Sequence, residues 1–219
     1  MAVSVEDRPK FAAAWANSLR IYKHGSSHEE RLQHIAMTIG GRVFSNICKE
    51  FSGKECTIPT QQERDTNREF ARKWENTCAV RMSYILNYTG SLIPRQPQNK
   101  TVSGSDGFQY FYRVNDVIEY LKNLWGQPDV VVANPFAYVE ARDAEGNIIR
   151  NPDGSAKFSD YGGHLAGRQG VILFEVPERW GDALGHASLF NGRECYDHCY
   201  FNEAGVHSGT TKANFWSLP

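Results

Sequence analysis

Up to about residue 126 the apolar positions recur every three or four residues, whereas from Gly170 onward they alternate or run together, so helices are expected first and strands afterwards. Phe11, Trp15, Leu19 and Tyr22 share one face of a predicted helix over residues 7–22, with Asp7 as cap and Pro9 in its first turn. Leu32, Ile35, Ala36 and Ile39 predict a second helix from about His28 to Ile39, stopped by Gly40-Gly41. Cys78, Met82, Ile85 and Thr89 stripe a third; Asn76 or Thr77 can cap it, and Gly90 stands where a left-handed stop is expected. A fourth follows Asn115, carries Val117, Ile118, Leu121, Leu124 and Trp125, and closes at Gly126 and Pro128. Tyr110 to Val114 reads as a short strand or entry segment, and Val130 to Val132 as a buried strand. Val171–Val176, His186–Phe190, Cys195–Phe201 and Asn214–Leu218 are the predicted strands of the later part. That order, helices and then an antiparallel sheet, argues for an α+β domain with segregated layers.

Two stretches break the pattern. Residues 48–73 are polar and weakly periodic, and read as a surface insertion with a short helix before Trp74. Residues 137–169 carry two turn signals, Asp143-Ala144-Glu145-Gly146-Asn147 and Asn151-Pro152-Asp153-Gly154, and read as a hairpin-like excursion ending in Tyr161-Gly162-Gly163-His164. The acidic turns lack the spaced ligands and closing Glu of a calcium loop, so no metal is expected there. We therefore expect one domain over 1–219 with insertions at about 48–73 and 137–169.

Composition narrows the function class only a little. A chain of 219 residues can bury roughly 70% of its unfolded surface, enough for a core without staples. A net charge of −1 gives no electrostatic footprint for nucleic acid or an anionic membrane. No apolar run approaches the roughly 20 residues needed to span a bilayer. The segment Met1–Pro9 lacks the basic-apolar-small order of a signal peptide, so the expectation is a protein made in the cytoplasm that stays there or leaves without a cleaved signal.

The candidate chemistry begins at Cys78. In the first turn of its helix the positive end of the macrodipole favours thiolate over thiol, which prepares a nucleophile. The five cysteines allow two close pairs, Cys48/Cys56 and Cys195/Cys199, with Cys78 left over. Downstream, Asn191-Gly192 signals a two-residue hairpin turn. Pairing Phe190 with Arg193 would put Asp197 opposite His186, with Cβ atoms roughly 4.5–5.5 Å apart. A carboxylate would then reach one imidazole nitrogen, leaving the other for the helix that starts at Cys78. The result is a Cys–His–Asp set: nucleophile, base and orienting acid.

Cys195 and Cys199 complicate that register. Four residues along a straight strand span about 13 Å, whereas a disulfide needs Cα atoms about 4.4–6.8 Å apart. The strand and the disulfide exclude one another, but either arrangement keeps Asp197 near His186. A competing reading is a zinc-stabilised binding module built on Cys195, His198, Cys199 and His207, although the spacing lacks a clean second ligand pair.

Several blocks together resemble a known family. They are Asn76-Thr77-Cys78-Ala79-Val80-Arg81-Met82-Ser83-Tyr84, Tyr112-Arg113-Val114-Asn115-Asp116 leading into Tyr120-Leu121, Gly185-His186-Ala187-Ser188-Leu189-Phe190-Asn191-Gly192, and Cys195-Tyr196-Asp197-His198-Cys199-Tyr200-Phe201. With Arg8-Pro9-Lys10-Phe11 and Ile39-Gly40-Gly41, they resemble the fourth family of type VI secretion amidase effectors. The resemblance implies a papain-like, NlpC-type cysteine amidase with N-terminal helices packed on a C-terminal antiparallel sheet. It further implies an antibacterial toxin, secreted into the periplasm of target bacteria, that cleaves peptidoglycan stem peptides between γ-D-glutamate and meso-diaminopimelate.

Carried over by position, Cys78 is the nucleophile, His186 the base and Asp197 the orienting acid, while Cys195 and Cys199 match a pair joined as a disulfide in family members, which favours the folded-over loop. The Cys78 amide is expected to help hold the oxyanion. Asn76, Arg81 and Arg113 are the candidates for contacting the carboxylate-bearing substrate. Implied partners are the stem peptide, a cognate immunity protein that plugs the cleft, and the secretion apparatus, with no cofactor, nucleic acid or membrane insertion. The segments 48–73 and 137–169 look longer than in compact members, and Cys48/Cys56 has no role the family supplies. The alternative within the same fold is a papain-like peptidase acting on protein or isopeptide substrates.

Overall fold

Where the helices start and stop follows from a few prolines, glycines and caps. In the computed structural model, which describes residues 3–52, 55–67, 74–95, 100–176, 185–203, 205 and 209–219, the first helix is α1, Phe11–Ile21. It does not reach back to Asp7. Arg8, the residue before Pro9, is held extended at ψ 162°, so Val5–Asp7 form a separate 3-10 turn and Lys10 precedes the helix. Helix α2, His28–Ile39, has both expected ends. The Ser27 hydroxyl accepts from the Glu30 amide at 3.2 Å and the Ser27 amide donates to the Glu30 carboxylate at 2.7 Å, closing a capping box.

Gly40 does end α2, at φ 68°, but Gly41 opens a further helix, α3, Gly41–Ile47, absent from the sequence reading. Both glycines are required, because a Cβ on Gly40 would lie 2.3 Å from Ser105 Oγ and one on Gly41 2.6 Å from the Gly104 carbonyl carbon.

The stretch after α3 is a small hairpin, β1 (Glu50–Ser52) with β2 (Glu55–Thr57), closed by a Cys48–Cys56 disulfide, and then helix α4, Gln61–Thr66, the short helix expected before Trp74. Residues 68–73 of this polar stretch lie outside the described residues. Helix α5, Cys78–Tyr88, follows; all residues from Cys78 through Asn87 are buried, so it is the central helix of the molecule. A second hairpin, β3 (Thr101–Ser103) with β4 (Gln109–Phe111), leads into α6, Val114–Trp125, which ends at Gly126 with φ 87°. Among the described residues no helix is long and apolar enough to cross a membrane.

The four-stranded sheet is antiparallel throughout, in the order β5 (Val130–Ala133), β8 (Lys212–Ser217), β6 (Gly170–Glu175), β7 (Gly185–Phe190). Val171, Leu173, Ala187, Leu189 and Trp216 pack towards the helices, while Ile172, Phe174, Phe190, Ala213 and Phe215 pack against Ala137, Leu165 and Phe201. Burial on both faces explains why β6 and β7 read as unbroken apolar runs. Two strand expectations are corrected. Val130–Ala133 is an edge strand, with Val131 53% exposed, because only β8 pairs with it. Cys195–Phe201 is not a strand; its one ladder contact with β7 is the bridge Phe190↔Cys195.

The register fails at the turn. Asn191 Oδ1 accepts from both the Arg193 and Glu194 amides at 2.9 Å, and the Asn191 amide donates to the Glu194 carbonyl at 3.0 Å. That side-chain-capped turn is longer than the two-residue one expected, so Phe190 meets Cys195 instead of Arg193.

Candidate active site

The segment Trp74–Thr77 delivers Cys78 to the edge of the sheet. Trp74 is buried on Tyr112, with ring centroids 5.4 Å apart, and Thr77 makes no side-chain cap; Asn76 Oδ1 accepts from the Cys78 amide at 3.2 Å instead. Cys78 is the first residue of α5, 1% exposed, a free thiol with Sγ 4.0 Å from the carbonyl of Gly185 on β7.

His186 follows directly on that strand. Its Nε2 lies 3.3 Å and 3.2 Å from the two oxygens of the Asp197 carboxylate, and its ring stacks on Tyr200 at 4.3 Å between centroids. Nδ1 makes no hydrogen bond among the described residues, and the Cys78 thiol is, after Asp197, the group that acts on the charge of the ring. Asp197 thus lies against His186, and Cys78 lies against the residue that precedes His186 on β7.

Asp197 reaches His186 by the second of the two routes allowed by the sequence. The Cys195–Cys199 disulfide, with Cα atoms 5.3 Å apart, folds Tyr196-Asp197-His198 over and turns the carboxylate inward. The same bond consumes two of the four ligands of the zinc module, which removes that reading; His207 lies outside the described residues. Asp197 also accepts from the Ser188 hydroxyl at 2.6 Å and lies 3.0 Å from Arg81 Nη2. Ser188 is two positions from His186 on β7, so strand alternation could have found it; Arg81 is three positions from Cys78 on one helix face.

Electrostatics hold the charges in place. Burial works against protonation of His186, but the Asp197 carboxylate and then the Cys78 thiol outweigh it and push the imidazole up to about 9. Burial likewise opposes ionisation of Asp197, yet the charges of His186 and Arg81 hold its carboxyl well below the usual range. The Arg81 guanidinium is desolvated, but Tyr196, Asp197 and Cys78 sustain its charge, and it lies over the Tyr22 ring at 4.8 Å and the Tyr196 ring at 5.6 Å.

A cleft of about 250 Å³ is lined by Arg31, Leu32 and Ile35 of α2, by Asn76 and Thr77 just ahead of α5, and by His186, His198 and Tyr200, while Cys78 itself is not in the lining. Of the substrate-contact candidates, Asn76 and Arg81 line it, Arg81 from a buried position behind Asp197. Arg113 does not; its Nε donates to Asp116 at 2.6 Å at the start of α6. A second cavity of about 240 Å³ between β4 and α6 has Pro94, Phe111 and Tyr120 in its walls and brings no thiol or imidazole together.

Residues 74–164 match the family described as type VI secretion system (T6SS), amidase effector protein 4, or Tae4. No curated protein matches the chain. Among solved structures, the Tae4–Tai4 effector–immunity complex from Enterobacter cloacae is 30% identical with a TM-score of 0.62, over 97% of this chain and 99% of that one. The Tae4 effector from Enterobacter cloacae is 29% identical with a TM-score of 0.61, over 100% of both chains. The Tae4–Tai4 complex from Salmonella Typhimurium is 28% identical with a TM-score of 0.61, over 97% and 99%.

Proposed function

Since the chain belongs to the Tae4 family of type VI secretion amidase effectors, we propose that it is a cysteine amidase that hydrolyses the γ-D-glutamyl–meso-diaminopimelate bond of peptidoglycan stem peptides. The observation that carries this reading is His186, with its Nε2 on the Asp197 carboxylate, its strand neighbour Gly185 against the Cys78 thiol, and its side chain in the lining of a cleft. With the imidazole pushed up to about 9, His186 carries a proton at neutral pH and can deliver it to a leaving group. Cys78 Sγ attacks the γ-glutamyl carbonyl carbon, forming the C–S bond and an oxyanion. His186 gives its proton to the departing diaminopimelate amine as the C–N bond breaks. Water, deprotonated by His186, then cleaves the thioester and returns the thiolate–imidazolium pair.

Asp197 keeps the ring oriented, and Arg81 with Ser188 keeps Asp197 oriented. Because Asn76 Oδ1 accepts from the Cys78 amide, the oxyanion must take that place to use the amide, so Asn76 borders the oxyanion position.

We assign these steps to one domain over 1–219, exported by the type VI apparatus and acting in the periplasm of target bacteria, where two disulfides suit an oxidising compartment. An immunity protein of the Tai4 kind, the partner named in the relatives' complexes, would protect the producer by covering the cleft.

The test is expression directed to a host periplasm, native protein against Cys78→Ala, with muropeptides digested in parallel and read by mass spectrometry. Lysis by the native protein alone, with stems shortened to dipeptides that end in glutamate and at least about a thousandfold loss in the variant, is expected. Equal lysis by both overturns the nucleophile. Intact stems after long incubation overturn the bond assignment and favour a protein or isopeptide substrate.

A further inference from the structure

One cation of the cleft makes no ion pair among the described residues. Arg81 is committed to Asp197 at 3.0 Å, and His28 at the rim is tied to Glu75 at 2.9 Å. Arg31 also lines the cleft, yet no carboxylate lies within ion-pair distance of it among the described residues. The sequence of α2 leaves it so. The helical neighbours three and four positions away are Ser27, His28, His34 and Ile35, none acidic, and the adjacent Glu30 is bound to the Ser27 amide in the capping box.

Two contacts fix the side chain. Nη1 donates to the Ser26 carbonyl, and the guanidinium lies 5.7 Å from the centroid of Tyr22, the ring that also carries Arg81 at 4.8 Å. Tyr22 thus stacks one cation that faces inward to Asp197 and a second that faces the cleft. The remaining N–H groups of Arg31 make no hydrogen bond among the described residues, leaving a planar fork whose geometry suits a carboxylate.

We propose that Arg31 is a substrate-positioning residue that docks a free carboxylate flanking the scissile bond. The inference rests on the amidase reading. A γ-linked glutamate keeps its α-carboxylate free, and on the leaving side diaminopimelate keeps the carboxylate of its far centre free, its near one being joined to the next residue; either supplies the chemistry the fork recognises. Arg81, the other guanidinium that lines the cleft, is held by Asp197 at 3.0 Å.

The experiment compares native protein, Arg31→Gln and Arg31→Lys on three synthetic stem tetrapeptides: unmodified, amidated at the glutamyl α-carboxylate, and amidated at the free carboxylate of the far diaminopimelate centre. On the unmodified peptide Arg31→Gln is expected to lose about ten- to a hundredfold in kcat/KM, chiefly through KM, as for loss of a charge-assisted hydrogen bond. One amidated peptide should cost the native protein a similar factor and cost Arg31→Gln nothing more; that peptide identifies which carboxylate is docked. Arg31→Lys should recover part of the preference.

Equal losses by Arg31→Gln on all three peptides would reduce the residue to part of the cleft wall and overturn the proposal, as would no loss on any. If native protein leaves every peptide intact, the amidase reading falls and this inference with it. If cleavage proceeds but the amidation and Arg31→Gln effects multiply, only the role of Arg31 is lost.

Discussion

At the scale of single residues, the site is three buried charges that justify one another. Asp197 is ionised because His186 and Arg81 flank it, and His186 is protonated because Asp197 and Cys78 flank it. Linkage then fixes how stability follows pH. The His186 value is raised from 6.5 to about 9, so its contribution is fully present below 6.5 and is lost as pH rises through about 9. Asp197 is depressed below 3.8, so its contribution is present above that pH and is lost as pH falls below it. Stability from this pair is greatest between about 4 and 6.5. Urea titrations should show a decline on the order of 3 kcal/mol from pH 6.5 to 9.5, and His186→Gln should flatten it. An unchanged slope in that variant would assign the decline to other groups.

Arg81 can be tested in the same assay. Arg81→Met leaves Asp197 buried with one counter-charge fewer, and should cost about 3–5 kcal/mol. Adding Asp197→Asn should restore part of the loss; strict additivity would mean that the two groups do not interact.

Among the elements, legibility tracked how local the determinant was. Helix α2 could be read to its ends because Ser27, Glu30 and Gly40 act within a turn of the helix they bound. The start of α1 was missed because Pro9 acts on the residue before it, and α3 because a Gly-Gly pair reads as a stop although the second glycine can begin a helix. The edge position of β5 depends on sheet order, which no local pattern encodes. The Cys195–Phe201 segment shows the limit most sharply, since its alternation suits a strand but a Cys pair four residues apart forces a loop.

Spacing brought Asp197 to His186 in both arrangements, but only the disulfide loop accounts for a carboxylate that also meets Ser188 and Arg81. That loop therefore does more for position than for stability. Cys195→Ser with Cys199→Ser should cost only about 2 kcal/mol, as such a short closed loop restrains the unfolded chain little. If the proposed mechanism holds, muropeptide cleavage should fall at least about a hundredfold, because the carboxylate no longer faces the imidazole. A thermal melt and the digestion assay separate the two. Loss of activity in proportion to lost folded protein would make the disulfide merely structural.

For the molecule as a whole, the catalytic proposal requires helices and sheet to behave as one body, because Cys78 comes from α5 and His186 from β7. The structure contains a clasp that joins the two layers away from the cleft. Arg8, just ahead of α1, is 5% exposed; its guanidinium spans both oxygens of Asp129, donates to the Ser217 carbonyl at 3.1 Å and lies 5.7 Å from the Trp125 ring. The Phe11 amide donates to the Pro219 carbonyl at 2.8 Å, and Trp216 Nε1 donates to the Gly126 carbonyl at 3.0 Å. The first helix, the end of α6 and the last strand are thus tied at one point.

Asp129 is only partly shielded, with 26% of its side chain exposed, so losing its partner costs less than at a sealed ion pair. Arg8→Ala should lower stability by about 2–3 kcal/mol, the range for charge-assisted hydrogen bonds. Because the clasp joins layers that share one core, far-ultraviolet circular dichroism and tryptophan fluorescence should still report a single, coincident transition at lower urea. Two separated transitions would mean that the layers fold independently, and the geometry joining Cys78 to His186 would then need another support.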